Sequence, residues 1–257
     1  MPARPSAPMS TNYDDIAAQY KRSKQVIWRY HIEQYSLCQL LGDVSGLSLL
    51  DLACGEGHYT RLLKVLGASR VVGVDISSKM IELAETTERD HPLAIEYIVA
   101  DAQAIRFPEP FDVVVAAYLL NYVRSKEDLL AMCNAISRSL RPGGRFVTIN
   151  NNPVQHVSNF QATRKYGFVK SAEGEIRNGT PIRYTFFMAD ETFALENYHL
   201  DVAIHVAALT QAGFSDIRWH SVKLSPAEAA GPDREHWTDF LADPPVILLD
   251  CRKQTAI

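Results

Sequence analysis

Two glycines one residue apart, Gly55 and Gly57, follow the apolar run Leu49-Leu50-Asp51-Leu52-Ala53-Cys54 and precede a helical stretch beginning near His58. Glycine leaves the backbone open to a ligand and tolerates positive φ, so this turn is suited to close approach by a polar group. Asp75 ends the next apolar run, Val71-Val72-Gly73-Val74-Asp75, where a carboxylate can hold a pair of ribose hydroxyls. Together these features point to a nucleoside-containing cofactor at the carboxyl edge of a parallel sheet. The dinucleotide fingerprint Gly-x-Gly-x-x-Gly is incomplete in both frames. Its third glycine falls on His58 if Ala53 is first, and on Thr60 if Gly55 is first.

A second group of residues could receive a flat molecule. Ligands of open α/β sheets lie beyond strand carboxyl ends, which selects Tyr118-Leu119-Leu120-Asn121-Tyr122. Tyr118, Asn121 and Tyr122 can stack on a planar ring and hydrogen-bond its heteroatoms. Asn150, Asn151 and Asn152 add amides after the following strand, although asparagine runs also serve as turns. Trp28, Arg29, Tyr184, Phe186 and Tyr198 are candidates for a lid. Tyr13, Tyr20, Trp28 and Tyr30 suit either a packed surface helix or an aromatic cover over the ligand. No residue triad or metal-ligand spacing is present. His199 and His205 flank a strand-to-helix junction without a carboxylate pattern and read as packing or solvated residues.

Three near-motifs carry little weight. Tyr20…Lys24 and Tyr122…Lys126 have a dehydrogenase spacing at the wrong places in the strand order. Asp243-Pro244-Pro245-Val246 lacks the aromatic residue of nucleic-acid amino-methyltransferases. The net charge of −4 offers no reason for a nucleic-acid partner. The four cysteines are scattered, which suits a reducing, cytoplasmic setting. No apolar run approaches the ~20 residues that cross a bilayer, so no membrane association is expected.

The elements that position these residues alternate regularly. Strands are expected at Leu47–Ala53, Val71–Asp75, Ala94–Ala100, Phe111–Tyr118 and Arg145–Asn150. Helices are expected at Tyr59–Leu66, Ser78–Asp90 and Lys126–Leu140. Arg141-Pro142-Gly143-Gly144 should stop the last helix and turn the chain. The continuous apolar strand at Phe111–Ala117 implies burial on both faces. After Asn150 the rhythm changes: a polar stretch to Asn178, strands at Ile182–Met188 and Thr192–Leu200, a helix at Asp201–Gln211, and strands at Ile217–Leu224 and Val246–Cys251. The expected fold class is α/β, a doubly wound, mostly parallel seven-stranded sheet with an antiparallel final strand and an inserted lid. Residues 1–10 are expected to be disordered and 11–257 to form one domain. Within it, 11–46 would be a helical lid and 150–200 an inserted roof.

Asp51-x-Ala53-x-Gly55-x-Gly57 resembles the acidic-x-Gly-x-Gly-x-Gly motif of class I S-adenosylmethionine-dependent methyltransferases, with Ala53 in place of the first glycine. Asp75, Asp101-Ala102, Phe111-Asp112 and Arg141–Gly144 follow in that family's order. The resemblance implies a Rossmann-like methyltransferase fold and S-adenosyl-L-methionine as cofactor. It implies cofactor contacts by Asp51, Ala53, Gly55, Gly57, Asp75, Ile76, Met80, Asp101, Ala102 and Tyr118. Asp75 would take the ribose, Asp101 and Ala102 the adenine edge, and Ile76 and Met80 the adenine faces. The whole chain is also similar to the small-molecule N-methyltransferases of the toxoflavin pathway, which implies N-methylation of a planar azapteridine. Substrate contacts would then come from Tyr13, Trp28, Tyr118, Asn121, Tyr122, Asn150, Tyr184 and Tyr198, with alignment by Tyr118 and Asn121. An O-methyltransferase, a nicotinamide-dependent reductase and a non-catalytic cofactor-binding subunit are the competing readings. The oligomeric state is left open.

Overall fold

The computed structural model describes residues 14, 26–188 and 191–255. Tyr13, Tyr20 and the expected disordered segment 1–10 lie outside the described residues. Seven strands form the central sheet: β1 (Ser48–Leu52), β2 (Arg70–Asp75), β3 (Glu96–Val99), β4 (Phe111–Ala117), β5 (Leu140–Asn151), β9 (Phe214–His220) and β10 (Val246–Lys253). Their order is β3-β2-β1-β4-β5-β10-β9. The five strands β3, β2, β1, β4 and β5 run parallel, whereas β10 is antiparallel to both β5 and β9. The expected doubly wound sheet is therefore present.

Apolar residues fill both faces. Leu49, Val71, Val113, Val115 and Val147 belong to one buried cluster; Leu50, Leu52, Val72, Val74 and Val114 belong to the other. Period-two alternation sends successive side chains to opposite faces, so both faces of these strands need cover. The cover includes α2 (His58–Val65), α3 (Ser78–Asp90), α4 (Lys126–Ser139) and α5 (Val202–Gln211), with α1 (Tyr35–Leu41) near the amino end. Ser77 caps α3, its hydroxyl accepting from the Met80 N–H at 3.1 Å, and Ser125 caps α4 in the same way through Asp128 N–H.

Several boundaries differ from expectation. A π-helical turn, Arg29–Gln34, leads into α1. β5 begins at Leu140, so Arg141–Gly144 is absorbed as an irregularity between the Phe111–Leu140 and Val113–Arg145 pairs. β9 starts three residues before the expected strand because Phe214 is buried and pairs with Lys253.

The inserted roof is a second sheet, β6-β7-β8, formed by Phe168–Ser171, Pro181–Phe187 and Thr192–Tyr198. The first of these strands hides in the stretch read as irregular. Short helical turns α6 (Pro226–Ala229) and α7 (Thr238–Ala242) buttress the roof, Trp237 and Phe240 packing against Tyr166 at ring separations of 5.5 and 5.0 Å. The backbone carbonyls of Pro244 and Pro245 accept from Asn152, fastening the start of the roof to the segment that leads into β10.

Candidate functional site

The site is built on the carboxyl ends of β1, β2, β3 and β4, where one cavity is lined by Ala53, Gly55, Asp75, Ile76, Asp101 and Tyr118. The turn after β1 holds three left-handed residues at alternate positions before the helix, Ala53 at φ 58°, Gly55 at φ 57° and Gly57 at φ 86°. Ala53 fits this region at a strain that the missing glycine would have avoided. Gly57 has a different role. At φ 86° it is the cap of α2, and a Cβ there would run into the Tyr97 hydroxyl and approach its ring carbon Cζ at 2.9 Å. Gly57 thus lets the helix seat against Tyr97 and is not among the cavity-lining residues.

Asp51 also sits behind the turn. It is 1% exposed and accepts from the Thr60 hydroxyl at 2.7 Å, tying β1 to α2. Cys54 is a buried thiol whose pKa is pushed well up by burial and by the nearby Asp51 and Asp75 carboxylates, so it has no nucleophilic character.

Asp75 joins a structural and a binding geometry. One carboxylate oxygen accepts from Gly55 N–H at 2.8 Å and the other from Ser77 N–H at 2.9 Å. Burial raises its pKa, and these backbone donors oppose the rise. An ionised carboxylate has about four lone-pair positions, so room remains for ligand hydroxyls. Beside it Ile76 is 50% exposed, an apolar side chain open at the cavity wall, with Met80 buried below and Ala102 across. Asp101 lines the same wall and accepts from Gln103 N–H at 2.8 Å. An acidic hydrogen-bond acceptor beside an uncovered apolar wall fits a nucleoside: a polar sugar joined to a flat base.

Tyr118 leaves β4 in the left-handed region, φ 71°, uncommon for an aromatic residue. Its N–H is held by the Ile149 carbonyl at 2.8 Å, and its hydroxyl donates to Glu33. Glu33 is fully buried. It pairs with Arg29 at 3.0 Å and also accepts from the Tyr59 hydroxyl. The Arg29–Glu33 pair has a local i,i+4 spacing, whereas the contacts of Glu33 with Tyr59 and Tyr118 join residues distant in the chain and carried no signal in the sequence.

Next to this cavity lies an aromatic slot that shares Tyr118 and Tyr122 with it. Trp28, Arg29, Tyr184 and Phe186 form its walls, and Asn151 and Asn197 its polar edge. The Arg29 guanidinium lies 4.7 Å from the Trp28 ring centre and 5.5 Å from that of Tyr118. Asn151 donates to Asn197 at 2.9 Å, and Asn197 is hydrogen-bonded to the Tyr122 hydroxyl. Of the expected substrate residues, the slot brings together Trp28, Tyr118, Tyr122 and Tyr184. Asn150 is 1% exposed and lines none of these three cavities, because strand alternation puts it with Thr148 and Phe146 on the face of β5 away from the roof. Asn121 faces a third, polar cavity under the roof, and Tyr198 stands between that cavity and the first. Asn197 was overlooked; its signal would have been a lone amide among the apolar residues of β8.

Residues 49–144 match the family model of the methyltransferase domain. Over 148 residues the chain is 34% identical to demethylmenaquinone methyltransferase of Lactococcus lactis, covering 56% of each chain. It is 28% identical over 182 residues to N-demethylindolmycin N-methyltransferase of Streptomyces griseus, covering 70% of this chain and 74% of that one. The chain thus spans about half to three quarters of the length of these relatives. The crystal structure of an S-adenosylmethionine dependent methyltransferase from Mesorhizobium loti superposes with a TM-score of 0.62 at 25% identity, over 86% of this chain and 97% of that one. The Rossmann-like sheet expected from the sequence is shared with the Mesorhizobium loti structure, and S-adenosyl-L-methionine is the cofactor that agrees with these matches.

Proposed function

We propose that this chain, built on the Rossmann-like methyltransferase fold, is an S-adenosylmethionine-dependent N-methyltransferase acting on a small planar nitrogen heterocycle. The observation that carries the proposal is the shared wall: Tyr118 and Tyr122 border both the nucleoside-shaped cavity and the aromatic slot. In this reading Asp75 holds the ribose hydroxyls, Asp101 and Ala102 meet the adenine edge, and Ile76 and Met80 cover its faces. Ala53 and Gly55 present backbone to the amino-acid portion. The bound cofactor supplies an activated methyl group on a sulfonium.

The protein's contribution is alignment and exclusion of water. Alignment alone accounts for up to about 7–11 kcal/mol of barrier lowering. The slot encloses only about 30 Å³ and the Arg29 guanidinium lies over its Trp28, Tyr118 and Phe186 rings, so the walls part to admit a flat ring. Tyr118, held by backbone and hydroxyl together, sets that ring's distance from the donor. Asn151 and Asn197 present amides to ring heteroatoms. Among the described residues, the slot contains no histidine or lysine to serve as base. This favours an acceptor N–H already acidified by an electron-poor ring over a phenol needing deprotonation. The narrowest form of the proposal is successive N-methylation of a demethylated pyrimidotriazine leading to toxoflavin.

Calorimetry with S-adenosylhomocysteine and NADH tests the cofactor, and NADH binding alone would overturn the reading. Labelled methyl donor incubated with demethylated azapteridines, and separately with demethylated quinones and phenols, tests the acceptor. Label on oxygen or carbon but never on ring nitrogen would replace N-methylation by the quinone-directed alternative, which the Lactococcus relative supports.

A further inference from the structure

Behind the slot lies a polar cavity, bounded by Asn121, Asn152, Lys170 and His205 and by two residues that also wall the slot, Asn151 and Tyr184. Lys170, on β6, is 2% exposed. Its ammonium donates to Gln155 Oε1 at 2.6 Å and to the Pro245 carbonyl at 3.0 Å, both neutral acceptors. An ammonium has three hydrogens, so one remains for another acceptor. Two aromatic rings flank it, Phe160 and Tyr184, each centred 5.2 Å away. No carboxylate reaches Lys170 in an ion pair among the described residues. Asp243 acts on it only at longer range, because its carboxylate accepts from His156 N–H at 3.0 Å and from Asn159 at 2.7 Å.

A second observation is independent of the lysine. The Asn121 side-chain amide nitrogen is buried without a hydrogen-bond partner. Its orientation is fixed, since the amide oxygen accepts from Asn151 N–H at 3.1 Å. Buried donors left unmade are costly, and natural structures rarely leave them so without a ligand or water to accept. Among the described residues, the other titratable groups lining the cavity are the phenols of Tyr184 and Tyr198 and two histidines: His205, whose Nδ1 donates to the Asp201 carbonyl at 3.0 Å, and His199, paired with Asp201 at 3.1 Å. Burial lowers the pKa of His205, which keeps it neutral. Among the described residues, the cavity is lined by one lysine ammonium and by no carboxylate, and the unpartnered Asn121 amide nitrogen is buried in its wall.

We propose that this cavity binds an anionic oxygen group, a carboxylate or an ionised ring oxygen, carried by the planar acceptor that occupies the slot. The proposal rests on the reading of the slot as acceptor site. It narrows the substrate class to heterocycles bearing an acidic oxygen on the edge that passes Asn151 and Tyr184.

The test uses quinoline-2-carboxylate and its uncharged carboxamide as probes, titrated by calorimetry with and without S-adenosylhomocysteine. The carboxylate should bind about tenfold or more tightly than the carboxamide, and Lys170→Met should remove that preference. Burial depresses the Lys170 pKa to about 7, so at pH 8 the side chain is mostly neutral. Carboxylate binding to the wild-type protein should then take up protons, read as a dependence of binding heat on buffer ionisation enthalpy. This readout stands even if Lys170→Met does not fold. Equal binding of the two probes, no binding of either, or binding without proton uptake would overturn the proposal. Failure of S-adenosylhomocysteine to bind would instead strike the underlying function, a result read in separate titrations.

Discussion

Tyr118 donates its phenolic hydrogen to Glu33, a carboxylate 85 positions earlier in the chain, and Glu33 is held in turn by Arg29. This contact fixes one of the two residues, Tyr118 and Tyr122, that border both ligand cavities. Breaking a buried ion pair from one side costs about 3–5 kcal/mol, because the remaining charge is stranded. Glu33→Gln should lose stability on that scale in urea unfolding. Tyr118→Phe leaves the Arg29 pair and the Tyr59 contact intact and should lose about 1.5–3 kcal/mol. Its turnover should fall by up to about a hundredfold through lost alignment. Equal stability of Glu33→Gln and wild type would show that the network contributes nothing to folding.

Asp75 can be separated from its neighbours by binding. Asp75→Ala should weaken S-adenosylhomocysteine binding by about 1.5–3 kcal/mol, the worth of hydrogen bonds to a charged group. Asp51→Asn, acting behind the turn, should reduce stability more than affinity. Affinity unchanged in Asp75→Ala would reduce Asp75 to the brace of its own turn.

Lys170 makes a pH signature. Its pKa falls from 10.5 to about 7 on folding. Between these values the unfolded chain binds the extra proton, so this residue's contribution to stability rises with pH across that window. Below pH 7 the folded state bears the full penalty of the buried charge. Lys170→Met should therefore be more stable than wild type at pH 6, with the advantage shrinking by up to about 1.4 kcal/mol per pH unit towards pH 9. Parallel stability curves for the two proteins from pH 6 to pH 9 would contradict the assignment.

Gly57→Ala should be destabilised by about 1–3 kcal/mol from its left-handed backbone, with a further cost from the Tyr97 ring. Tyr97→Ala should recover the ring component but not the backbone component. A double-mutant cycle of unfolding energies measures the difference, and a zero coupling energy would reject the packing role of Gly57.

The central sheet was legible because its signals are local. Apolar strands and the Gly55 turn each declare themselves within a few residues. The roof was legible only in part. Phe168–Ser171 is four residues long and follows helical turns, so period two has no length in which to show itself. The site divided along the same line. Asp75, Ile76 and Asp101 follow strand ends and were found together. Asn197 and Lys170 matter through partners that only the tertiary structure supplies, as does Glu33 in its contacts with Tyr59 and Tyr118 though not in its local pairing with Arg29, and a buried lysine on a short strand looks like a solvent-facing one. Asn150 erred for the converse reason: it neighbours Asn151 in the chain, but alternation turns the two side chains to opposite faces.

The placement of β10 bears on how the chain is made. Val246–Lys253 lies between β5 and β9, so β9 has no sheet partner until those residues have left the ribosome. Until then the edge of β5 stays unpaired, a strand edge open to other chains. The same late segment brings the Pro245 carbonyl to Lys170 and the Pro244 carbonyl to Asn152. The parallel half of the sheet can assemble earlier in synthesis, whereas the roof is pinned only once residues 244–253 have emerged.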